Sequence, residues 1–147
     1  AEMIKRNKVK IYIIMTAVAA VCIVIMLFLQ TLYKYRKYND SGIPDAVSSS
    51  YDGRECRLTV TANSSDIEDK ERFAIEVFRM CRENSFRTIK LSTDIQGWPE
   101  SLDITVYFHR IDIGEKEPVM KIRFIPPDDG GKYDIKSNPW EYEMIIE

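Results

Sequence analysis

Residues 57–84, RLTVTANSSDIEDKERFAIEVFRMCREN, decide the fold, because the period of their apolar residues changes partway along. Leu58, Val60 and Ala62 alternate with Arg57, Thr59 and Thr61, the two-residue period of a strand with one buried face. Past Asn63 the spacing widens. Ile67, Ala74, Val77, Phe78 and Cys81 share one stripe at helical spacing up to Asn84, and Ser65-Asp66-Ile67-Glu68 has the form of a capping box. A strand followed by an amphipathic helix of about twenty residues predicts a helix lying on a sheet.

Toward the C-terminus, Phe86 to Ser92 is predicted as a second strand, and Gly97-Trp98-Pro99 as a turn. Leu102, Ile104, Val106 and Phe108 alternate with Asp103, Thr105, Tyr107 and His109 in the clearest strand of the chain. Val119 to Ile125 alternates again, and Trp140, Tyr142, Met144 and Ile146 alternate with Glu141, Glu143 and Glu147 in a last strand. A strand, a return helix and another strand leave the two strands parallel with a right-handed crossover, and the last three follow as antiparallel neighbours. The expected class is α+β: an N-terminal transmembrane helix, then a two-layer domain over residues 55–147 with a β-α-β-β-β-β mixed sheet and one helix packed on one face. About fifteen apolar side chains, at about 1.5 to 3 kcal/mol for each large one buried, suffice to offset the ordering entropy of a small domain.

Toward the N-terminus, residues 39–54, NDSGIPDAVSSSYDGR, have the composition of a flexible connector, so residues 34–54 are expected to be a juxtamembrane segment and linker. Before them, residues 11–33, IYIIMTAVAAVCIVIMLFLQTLY, carry no charge. At about 1.5 Å per residue this run reaches roughly 34 Å, enough to cross a hydrocarbon core of about 30 Å, so Ile11 to Leu32 is expected to lie in a lipid bilayer. It is apolar all round, unlike an interfacial helix, and Thr16 can bond back to a carbonyl one turn earlier.

A cleaved signal peptide fits poorly, since Ala17, Ala19 and Ala20 sit mid-span and a basic, aromatic block, Lys34 to Tyr38, stands behind the run. Lipoprotein processing at Cys22 is disfavoured by Val21 before it and the apolar residues after it. Lys5, Arg6, Lys8 and Lys10 precede the span while Lys34, Arg36, Lys37 and Arg54 follow it. The tight N-terminal cluster in the basic tail, residues 1–10, favours a cytosolic N-terminus, an uncleaved anchor and an extracytoplasmic domain. Labelling of Cys56 from the cytosolic side would contradict that orientation.

Charge divides along the same line. Residues 1–39 hold seven Lys/Arg and one acid, whereas residues 40–147 hold fourteen Lys/Arg and twenty-two acids. A domain of net −8 lacks the basic field that phosphate backbones require, which excludes nucleic acid as a partner. No cysteine pair has C-x-x-C spacing, and Cys56 and Cys81 are expected as buried thiols, with a disulfide as the alternative in an oxidising compartment. Asn39 and Asn63 open N-x-S triplets, glycan acceptors only in a eukaryotic secretory cell.

Little in the chain points to catalysis. His109 has no nucleophile motif to serve, and the acidic loop from Asp128 to Asp134 lacks EF-hand spacing, so no catalytic, cofactor or metal site is expected. The helix-free sheet face is the better candidate for function: Thr59, Thr61, Thr88, Lys90, Thr105, Tyr107, Lys121, Arg123, Glu141 and Glu143 are expected there. Tyr107, Lys121 and Arg123, with Trp98 as an aromatic anchor, form the candidate interaction surface, while Trp140 is expected in the core. The expected function is a non-enzymatic binding or scaffold component with protein partners in the membrane or envelope. The alternative is a small membrane-tethered hydrolase or metal-dependent enzyme using His109 and the acidic loop.

Overall fold

The computed structural model describes residues 1–147, the Gln96 side chain excepted, in two compact units, residues 1–38 and 39–147. The first is α1 (Glu2–Asn39), a helix in which no residue is buried and which is long and apolar enough to cross a membrane. Helix continues beyond the apolar run at both ends, through the basic tail and the Lys34 to Tyr38 block. Thr16 and Thr31 each donate a hydroxyl hydrogen bond to the carbonyl four residues back, Tyr12 at 2.8 Å and Leu27 at 2.9 Å, so neither needs a partner helix.

The second unit has the expected α+β architecture, a five-stranded mixed sheet with a helix on one face. Its elements are β1 (Asp45–Asp52), β2 (Glu55–Thr61), α2 (Lys70–Glu83), a single turn α3 (Thr93–Gln96), β3 (Ser101–Tyr107), β4 (Met120–Ile125) and β5 (Glu143–Ile146). The strands stand in chain order across the sheet. β2 and β3 are parallel, with α2 between them in sequence, and every other neighbouring pair is antiparallel. Leu58 and Val60, Leu102, Ile104 and Val106, and Met120, Ile122 and Phe124 are the buried alternates of the three central strands. Against them α2 buries Ala74, Val77, Met80 and Cys81, and Phe78 stacks on Phe124 at 4.2 Å between ring centroids.

The segments around this frame correct the sequence reading. The connector is not all flexible, because β1 runs through it and pairs with β2 from Asp45↔Thr61 to Asp52↔Glu55. Gly53, at φ +66°, takes the first turn position, where a two-residue hairpin loop needs positive φ. Val47 is an extra residue between Ala46↔Val60 and Ser48↔Thr59, a bulge of the kind that edge strands use.

Phe86 to Ser92 is not a strand, and the reason lies in where its backbone groups go. The buried Asp45 carboxylate accepts the amides of Arg87, at 2.8 Å, and Thr88, at 3.1 Å, as well as the Thr88 hydroxyl. The Asn84 side chain both accepts from the Leu91 amide and donates to the Leu91 carbonyl. Side chains thus take the groups that a ladder would have used, and Phe86 and Leu91 plug the core from an irregular segment. Thr88 and Lys90 therefore leave the sheet face.

The helix is shorter than expected. Asp69, not Ser65, is its N-cap, accepting the Arg72 amide at 3.0 Å. Asn84 closes it in the left-handed region, at φ 51°, with the Asn84 and Ser85 amides returning to the Cys81 and Met80 carbonyls. Trp140 sits in a short 3-10 turn (Pro139–Glu141) and is 76% exposed, so it is not a core residue, and Glu141 shares that turn instead of the strand.

Candidate functional site

The sheet face opposite α2 is built by the odd-numbered residues of β2, β3 and β4, which alternation turns away from the core. Cross-strand register sets them in rows. Ser50, Arg57, Asp103, Arg123 and Ile145 form one, and Ser48, Thr59, Thr105 and Lys121 the next. Thr61 stands opposite Tyr107 beyond them. Asp103 thus lies in register between two guanidiniums, and Lys121 and Arg123 are both exposed. Arg57 also reaches the Asp52 and Glu55 carboxylates, each at 3.3 Å.

Three of the four candidate residues come together here: Tyr107, Lys121 and Arg123 project from adjacent strands. Trp98 does not. It is half-buried in the loop before β3, packs against the core, and carries the Lys136 ammonium 5.3 Å from its ring centroid. Arg57, Asp103, Ser48 and Ser50 belong to the face and were missing from the sequence-based set. The signal for Arg57 and Asp103 was present, since each occupies a polar alternate of a recognised strand. Ser48 and Ser50 give no such signal, because a stretch rich in Gly, Pro and Ser has the composition of a linker. Thr61 shares the face's parity but is buried, at 1% exposure.

The residues of the enzymatic alternative are occupied separately. His109 Nε2 lies 3.2 Å from Asp40 Oδ1, and the His109 amide donates to Asp112 at 3.3 Å. In the acidic loop, Asp129 accepts the Tyr133 hydroxyl at 2.6 Å and the Gly131 amide at 2.9 Å, and the tyrosine holds its carboxyl below the usual range. Asp134 accepts the Lys136 and Ser137 amides, folding the loop on itself. Among the described residues no three His, Cys, Asp or Glu side chains converge as a metal site would require.

Cys56 and Cys81 are free, buried thiols. Burial pushes Cys56 up to about 11, against a small opposing effect of the Tyr51 hydroxyl, and raises Cys81 as well. Both are held as thiols, the wrong state for a nucleophile. Asn63 is buried too, in the left-handed region, with its amide donating to the Ile43 carbonyl at 2.9 Å, so a folded domain offers no glycan acceptor there. No family model, curated protein or solved structure matches this chain.

Proposed function

We propose that this chain is a single-pass membrane protein whose N-terminal helix anchors a non-enzymatic binding domain on the extracytoplasmic side, where it serves as a scaffold component of a membrane-associated assembly. The observation that carries this reading is the open sheet face. Arg57, Lys121 and Arg123 gather there around Asp103, beside Tyr107, in a domain whose surface is otherwise dominated by acids. Charges of both signs in fixed register give a partner orientation and selectivity.

Anchoring is supported by the uncharged run inside α1, whose two threonine hydroxyls are satisfied within the helix, as hydrocarbon demands. The cluster Lys5, Arg6, Lys8 and Lys10 supports a cytosolic N-terminus.

The test is purification of the full chain in mild detergent, with identification of whatever travels with it. Wild type is expected to bring a protein companion, and Lys121→Glu with Arg123→Glu to lose it. A wild-type monomer without companions contradicts the proposal. His109→Ala separates it from the hydrolase alternative, since a scaffold retains its companion in that variant.

A further inference from the structure

A second surface lies on the other side of the domain, where α2 begins. Its first two turns, the segment from Ala62 to Asp69 and the residues just before β1 enclose an open groove of about 610 Å³. The floor and one wall are apolar: Pro44 and Ala62 are buried beneath it, Ile67 and Phe73 are half-buried, and Ile75 is 60% exposed. An isoleucine left that open on a helix whose inner stripe is already filled by Ala74, Val77 and Cys81 adds nothing to the core.

The rim is mostly acidic. Asp66, Glu68, Asp69 and Glu76 line the groove, against one cation, Arg72, among the described residues. Glu76 is held ionised by Arg79, whose hydrogen bond keeps the carboxyl below its usual range. The start of a helix ordinarily attracts anions. Here Asp69 already accepts the Arg72 amide, and its neighbours bring further negative charge, so an anionic ligand, a nucleic acid or an anionic lipid surface is repelled. A bare metal ion gains nothing from an isoleucine and a phenylalanine. Both properties are used at once by a peptide that carries apolar residues along one side and Lys or Arg along its flanks, laid in the groove in the helix-in-groove manner.

We infer that this groove docks a cationic amphipathic peptide segment of a partner protein, with apolar side chains on Ile67, Phe73 and Ile75 and basic ones on Asp66 and Glu68. The inference rests on the reading of the domain as a binding module, and it adds a site separate from the sheet face. It also names the partner's chemistry.

The test uses the full chain in nanodiscs of zwitterionic lipid, with empty nanodiscs as the blank. The probe is a fluorescent ten-residue peptide bearing Leu at i, i+3, i+4 and i+7 and Lys or Arg elsewhere, followed by anisotropy. Saturable binding above the blank is expected. It should weaken at least tenfold in Asp66→Lys/Glu68→Lys, weaken several-fold in Ile75→Ser, and vanish when Glu replaces every Lys and Arg of the peptide. The substituted positions are all exposed, so the variants should retain the fold, which far-ultraviolet circular dichroism checks.

Lys121→Glu/Arg123→Glu should leave peptide binding intact while removing the companion recovered in detergent, so failure of the sheet-face reading and failure of the groove are told apart. Absence of binding above the blank, or binding indifferent to the groove variants or to peptide charge, overturns the inference. Self-association of the protein that Ile75→Ser abolishes also overturns it, by giving the groove to a second copy.

Discussion

Asp45 ties the edge strand to the irregular 86–92 segment through one carboxylate. It begins the edge strand, is buried to 2% exposure, and accepts two amides and a hydroxyl from residues 87 and 88. Asp45→Ala removes the acceptor of all three hydrogen bonds, and hydrogen bonds to a charged group are worth about 1.5 to 3 kcal/mol. A loss of about 2 to 3 kcal/mol in urea unfolding is expected, whereas a change within experimental error would show that the 86–92 segment is held without the Asp45 carboxylate. The thiols give a test in pH. Cys56 moves from an ordinary 9.0 up to about 11 because it is buried, and Tyr51 rises to about 12 by burial and the adjacent Cys56. Between about pH 9 and 11 the unfolded chain has released its thiol protons while the folded chain keeps them. The folded state therefore binds more protons, and stability, complete below pH 9, declines as pH rises through that window. The urea midpoint should fall between pH 8.5 and 10.5, and fall less steeply in Cys56→Ala. A midpoint equally steep in both would remove Cys56 from the account.

The hairpin of β1 and β2 is the element that the sequence concealed, and its turn is the place to probe it. Gly53 sits at φ +66°, a region that costs an L-residue roughly 1 kcal/mol, so Gly53→Ala should destabilise the domain by about that amount. The same change in a flexible connector would leave the unfolding midpoint where it was. Much of the architecture was legible: β2, β3, β4 and α2 all announced themselves by apolar period, because each buries one face against the same core. β1 did not, since an edge strand with Ser48, Ser49 and Ser50 exposed has little apolar pattern to show. Its only local sign was Asp52-Gly53 at the turn. Phe86 to Ser92 misled in the opposite direction. Its buried residues, Phe86 and Leu91, are five apart, so the segment never had strict alternation, and the Asp45 and Asn84 side chains that hold it lie outside any local window. For the candidate face, strand parity put Tyr107, Lys121 and Arg123 on the side where the register has them, while the α2 groove was not legible because only tertiary packing brings Pro44 beneath the acid stretch from Asp66 to Glu76.

At the scale of the whole molecule, the charge division acquires a structural meaning. The basic residues from Lys5 to Lys10 and from Lys34 to Lys37 belong to one long helix, and all the acids but Glu2 belong to the domain that follows it. In the proposed orientation the Lys5, Arg6 and Lys8 cluster holds the N-terminus in the cytosol, and neutral substitutions at all three should invert a share of the molecules. Cys56 cannot report that orientation, because it is fully buried in the folded domain. Ser50 can, being exposed on the edge strand. The most direct measurement is therefore labelling of Ser50→Cys in intact cells with a membrane-impermeant maleimide, on protein that alkaline carbonate leaves in the membrane fraction. Labelling without permeabilisation, and no further gain after it, is the expected result. Protein released by carbonate, or labelled only once the membrane is opened, would contradict an anchored domain on the outer side.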